Sequence, residues 1–202
     1  MNSKSFEQAR EYASGRLERE LPAHLSYHAF SHTRDEVVAA AERLARMEGL
    51  KGRTLDLLLT AAWFHDLGYI EQAQYHELIS ARIARQVLPG FGYTPKQVAT
   101  IDQAIMATAL PQSPADLLGQ ILADADLDVL GTTNFMSRNL DLRRELAQLG
   151  KVYTDLDWYV RQLQFQEGHT YFTASAHTLR DAQKEANKAE LRAILSALQP
   201  AE

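Results

Sequence analysis

With 202 residues, 46% of them hydrophobic and 23% charged, the chain has the balance of a globular protein that can bury a core without staples. It has no cysteine, which excludes disulfides and thiolate-held metal and leaves histidine nitrogen and carboxylate oxygen as the strong ligands. A formal net charge of −5 argues against sequence-independent binding of nucleic acid, and the polar N-terminus and lack of a membrane-length apolar run lead us to expect a cytoplasmic protein.

Nearly every long segment carries helical spacing, and alternating strand patterns are scarce. Phe6, Ala9, Tyr12, Ala13 and Leu17 share one side of a predicted helix over 5–21, which Pro22 stops. A second helix begins near His32, turns Val37, Val38, Ala41, Leu44 and Ala45 inward, and closes at Gly49. The third, LDLLLTAAWFHDLG, is apolar on almost all faces, as befits a helix surrounded by others. His76–Leu88 is a shorter amphipathic helix ended by Pro89-Gly90. Thr94 as N-cap and Pro95 at the first position open another, through Ile105. Ser113-Pro114-Ala115-Asp116 starts a helix through Leu130, and further helices are predicted over 133–149, 155–166 and 176–198. The expected fold class is all-α, a single-domain multi-helix protein.

Polar groups break this apolar frame at few places. His65 and Asp66 sit at the end of the third helix, between LLLTAAWF and LGYI. An ionised aspartate there costs several kcal/mol to desolvate (roughly) unless something offsets its charge. A divalent cation would do so. The bland alternative is that His65 caps the helix and Asp66 caps the turn after it. Adjacent helical residues diverge by about 100°, so a shared ion needs further ligands from neighbouring elements. His32 and an aspartate of ILADADLDVLG are the natural contributors.

In this order and on these helices, the sequence resembles the HD superfamily of metal-dependent phosphohydrolases, with ligands in the order His…His-Asp…Asp. The matching residues are His32 in YHAFSHT, His65-Asp66 in AAWFHDLGY and Asp124 in ILADADLDVLG, with HELISARIA as a further block. The resemblance spans about Tyr27 to Gly131. It implies residues 27–131 as an HD metal-binding core, 1–26 as an N-terminal helix packing on it, and 132–202 as a C-terminal helical extension of the same domain. It also implies a divalent metal held by His32, His65, Asp66 and Asp124, and a small phosphorylated, nucleotide-like substrate cleaved by water.

Helical phase selects Asp124 as the fourth ligand, whereas alignment on the following glycine is compatible with Asp126. Asp128, one turn after Asp124, is a candidate catalytic residue, together with Asp66 as proton acceptor, His76 and Glu77. Binuclear branches of the superfamily carry a histidine comparable to His76 and others after the next helix. This chain reads AIMATAL there, with Thr108 near the expected place, which favours one metal over two. Manganese, iron, nickel, magnesium and zinc all suit such ligands. His28, Arg34, Arg138 and the segment GHTYFTASAHTLRDAQK are further candidates for substrate contact or for packing. A regulatory module that binds a nucleotide or a protein partner without turnover is the competing reading. The oligomeric state is not legible in the sequence.

Overall fold

The structure is a computed structural model that describes residues 3–198. The described residues form nine α-helices joined by short turns, with no strand. The fold is all-α. None of the described helices is long and apolar enough to cross a membrane. The chain divides into two compact units, Met1–Leu127 and Asp128–Glu202.

In the first unit, α1 (Ser3–Glu20) turns Ala9, Ala13 and Leu17 inward. A single π-helical turn, His32–Val37, leads directly into α2 (Val38–Met47). The third helix, α3 (Gly52–Phe64), is buried from Leu58 through Phe64 and packs against α1, α2, α5 (Pro95–Met106) and α6 (Leu117–Asp126). The all-round apolar character of its sequence is thereby explained: helices lie on most of its sides. A 3-10 turn, Leu67–Ile70, follows it, and then α4 (His76–Val87), which packs on α5. Thr94 caps α5 in a reciprocal capping box with Gln97, with Pro95 at the first position, as the sequence predicts. Asp116 caps α6 by accepting from the Gly119 amide.

The turn after α3 is held unusually close to α4. A Cβ on Gly68 would lie 2.0 Å from the carbonyl oxygen of His76, and the Gly68 amide donates to Ser80 Oγ at 2.8 Å. Only glycine permits that approach.

In the second unit, a 3-10 turn (Asp128–Gly131) precedes α7 (Phe135–Gln148), α8 (Asp155–Gly168) and α9 (Ala174–Leu198). Trp158 is fully buried and donates to Asn139 Oδ1 at 2.5 Å. Asn187 donates to the carbonyls of Leu130 and Thr132, each at 2.9 Å, tying α9 to the turn that opens the unit.

Candidate metal centre

The centre lies in the first unit, where three helix ends meet. His32 opens the π-helical turn, His65 and Asp66 follow the last residue of α3, and Asp126 is the last residue of α6. His32, His65 and Asp66 are buried, and one ligand atom from each lies within 4.8 Å of the others. Asp66 Oδ2 is 3.2 Å from His65 Nε2 and 3.8 Å from His32 Nε2, and Asp126 Oδ1 is 3.5 Å from both imidazole nitrogens. Asp126 is the partly exposed member, its side chain retaining 20% of its accessible surface.

Each imidazole is fixed through its other nitrogen. His65 Nδ1–H donates to the carbonyl of Ala62 at 2.7 Å, satisfying an acceptor left open at the end of α3. His32 Nδ1–H donates to Glu36 Oε2 at 2.8 Å. In both neutral rings the lone pair is therefore on Nε2, the atom facing the carboxylates. His65 does cap its helix, as the bland alternative holds, and still presents a ligand atom. Asp66 makes no side-chain cap to the turn it begins.

His32 Nε2, His65 Nε2 and Asp66 Oδ2 are buried without a hydrogen bond. Such groups are costly unless paired or bound to a metal. A shared ion with bonds of about 2.1 Å demands donor separations of about 3.0–3.5 Å, which suits this cluster. The donor set of imidazole nitrogen and carboxylate oxygen also fits a divalent ion. These residues could hold one.

The electrostatics agree. Burial opposes charge on His32, yet the carboxylates of Asp126, Glu36 and Asp66 outweigh it and raise the imidazole to about 9. Burial likewise opposes charge on His65, and Asp66 and Asp126 overcome it and raise it well above its ordinary value. Burial pushes Asp66 up, but His65, His76 and His28 bring it far below the usual carboxylate range. Asp126 is lowered in the same way by His32 and His65, against its own burial. The pocket is built to favour positive charge, and a cation can replace the protons.

The other predicted residues divide. Asp124 is fully buried in α6, two positions before Asp126. Of the two aspartates that the sequence offers as fourth ligand, Asp126 is the one whose carboxylate lies 3.5 Å from both imidazole nitrogens. Asp128 lies in the second unit, where Arg180 Nε and an Nη grip its two oxygens at 2.7 Å each. That grip ties the 3-10 turn to α9.

His76 and Glu77 do reach the centre. His76 Nε2 is 3.4 Å from Asp66 Oδ1, the oxygen turned away from the closest imidazole contact, and 3.5 Å from Glu77 Oε1. Its ring packs at 4.2 Å on Tyr69, which in turn stacks at 4.2 Å on His28 and reaches His28 Nε2 at 3.0 Å. Tyr69 and Glu36 escaped the sequence reading; the four-residue step from His32 to Glu36 was the available signal for the latter. Thr108 donates to the Ile105 carbonyl. Arg34 pairs with Asp35 and lies over Phe30, and Arg138 pairs with Asp141. In the 168–184 segment, the buried Lys184 ammonium donates to the His169 carbonyl at 2.5 Å and sits over Tyr171. That segment is an anchor between α8 and α9.

Fold and site together define an all-α protein with a buried His…His-Asp…Asp cluster on separate helix ends. The family model of the HD domain matches residues 30–128, and that part of the chain is an HD domain. Two solved structures share the fold. One is a predicted HD superfamily hydrolase from an uncultured Thermotogales bacterium, 22% identical, covering 96% of this chain and 92% of its own, with a TM-score of 0.60. The other is a protein of Lactobacillus plantarum, 21% identical, covering 98% and 99%, with a TM-score of 0.68. No curated protein matches the sequence.

Proposed function

We propose that this chain is a metal-dependent phosphohydrolase that cleaves a phosphomonoester or phosphodiester of a nucleotide-like small molecule. The observation that carries the reading is the convergence of three buried, unbonded ligand atoms, His32 Nε2, His65 Nε2 and Asp66 Oδ2, in an HD domain. The HD hydrolase among the structures that share the fold is in keeping with it. His32, His65, Asp66 and Asp126 hold one divalent ion in this reading. When bound, such an ion supplies Lewis acidity and lowers the pKa of water.

The chain's own groups then have distinct tasks. Asp66 offers Oδ2 to the ligand cluster, and its Oδ1 faces His76. His76 Nδ1–H donates to the Ala73 carbonyl at 3.1 Å, which leaves the Nε2 lone pair free to take a proton at the edge of the site. Glu77 Oε1, 3.5 Å from that nitrogen, steadies the charge which results. In this reading a phosphate ester enters from the side on which Asp126 is partly exposed.

The experiment is turnover of a panel of phosphomonoesters, nucleotides and cyclic nucleotides by protein stripped with chelator and reloaded with manganese, iron, nickel, magnesium or zinc. Metal-dependent hydrolysis that disappears with Asp66→Ala is the expected result. Full activity in Asp66→Ala with metal content unchanged refutes it. Ligand-induced stabilisation without turnover under every metal would move the chain to the regulatory class.

A further inference from the structure

The two imidazoles of the centre are anchored by different kinds of partner. His65 is held by a backbone carbonyl, which no substitution can remove. His32 is held by the carboxylate of Glu36, a side chain 36% exposed at its outer end, while the imidazole is 2% exposed. We propose that Glu36 is a positioning residue that sets the metal affinity of the centre through His32, and that the π-helical turn seats this pair. The inference rests on the metal centre proposed above.

Two observations support it. The Nδ1–Oε2 separation of 2.8 Å is that of a charge-assisted hydrogen bond, and it fixes both the tautomer and the orientation that aim Nε2 at Asp66 and Asp126. Metal-ligating histidines generally depend on such a partner on the second ring nitrogen. The π-helical turn spans His32 to Val37, so it begins on the ligand and includes Glu36. A turn that takes in one extra residue offsets His32 by about 100° from the phase that a continuous α-helix extended back from α2 would give it. That offset lets His32 enter the cluster while Val37, Ala41 and Leu44 keep their place in the core.

The pair is more than an ordinary surface contact. Arg46–Glu42, on the next helix turns, is also an i,i+4 pair, but both of its members are exposed and it touches no part of the centre. Glu42→Ala is therefore the control.

The test measures Mn²⁺ and Zn²⁺ affinity of the metal-stripped full chain by competition with a chromophoric chelator, alongside the melting temperature of the metal-free protein. Glu36→Ala should weaken binding by about 10–100-fold. Glu36→Gln, which keeps an acceptor oxygen at the same reach and loses the charge, should lose less, by several-fold. The metal-free melting temperature should move by no more than about 3 °C, as for a half-exposed ion pair. Glu42→Ala should leave affinity unchanged. Wild-type affinity in Glu36→Gln overturns the proposal, even where Glu36→Ala fails to fold. So does a fall in metal-free stability with affinity preserved, since a merely structural role predicts that pattern. Failure of the wild-type chain to bind either ion would sink the metal centre itself, and this inference with it.

Discussion

Asp124→Asn and Asp126→Asn differ by two positions on one helix and should differ completely in outcome. Asp126 Oδ1 stands 3.5 Å from both imidazole nitrogens. A unit charge at that range interacts with another by about 4–5 kcal/mol at an effective dielectric of 20. Partial exposure of Asp126 and local relaxation reduce the net effect to about 3 kcal/mol, which corresponds to roughly 100-fold in metal affinity. Asp124 is fully buried and does not share that position. Its substitution should destabilise the fold by about 1–3 kcal/mol, as for any buried group whose partners are disturbed, and leave affinity of the folded protein within about threefold. The assay is chelator competition for affinity together with thermal melting of the metal-free protein, applied to both variants. Loss of metal in Asp124→Asn with retention in Asp126→Asn would refute the geometry on which the centre is built.

Three further outcomes follow from the second unit and from α4. Arg180→Ala should cost about 2–3 kcal/mol by removing the guanidinium that grips the largely buried Asp128, with metal affinity unchanged, as judged by melting and chelator competition. Burial, with the nearby Lys184 ammonium, depresses His169 to about 4, so the stability this group contributes is complete above its unfolded value near 6.5 and is lost as pH falls towards 4. Over that window the wild-type protein should lose up to about 2–3 kcal/mol more than His169→Asn, read from melting curves at stepped pH; parallel curves would contradict the assignment. Tyr75 is held at φ 61° and ψ 30°, a left-handed conformation that disfavours bulky residues, with its side chain 62% exposed. Tyr75→Asn should raise stability by about 0.5–1 kcal/mol, and a lower melting temperature would show that the ring has a structural role.

Much of the fold was open to reading because its signals are local. Helix ends marked by Thr94-Pro95, Gly49 and Pro22 follow from backbone chemistry within a few residues, and the all-apolar stretch ending in Phe64 states its own central position. The pair His65–Asp66 was legible for the same reason, as a charge set in an apolar frame. The fourth ligand was not. ADADLD offers three carboxylates, and which one faces inward depends on where α6 ends and on its rotation against α2 and α3, a tertiary fact. The helical phase that set Asp128 one turn after Asp124 does not hold either, because the helix stops at Asp126 and a 3-10 turn follows. Glu36 stands four residues after His32, a legible step, but the π-helical turn that seats the pair was not legible, since no residue within His32–Val37 demands an extra residue per turn. Tyr69 reads as an ordinary core aromatic until its rings with His28 and His76 are seen.

Gly68 has a consequence for how such a site can change. Because main chain meets main chain there, the spacing between Asp66 and the start of α4 is set by the backbone and owes nothing to the identity of the side chains at 76 and 77. The edge of the site at His76 and Glu77 is thus an exchangeable fitting on a fixed mount. Substitutions at His76 or Glu77 can change that edge without moving Asp66, whereas a single methyl group at position 68 would disturb the mount itself.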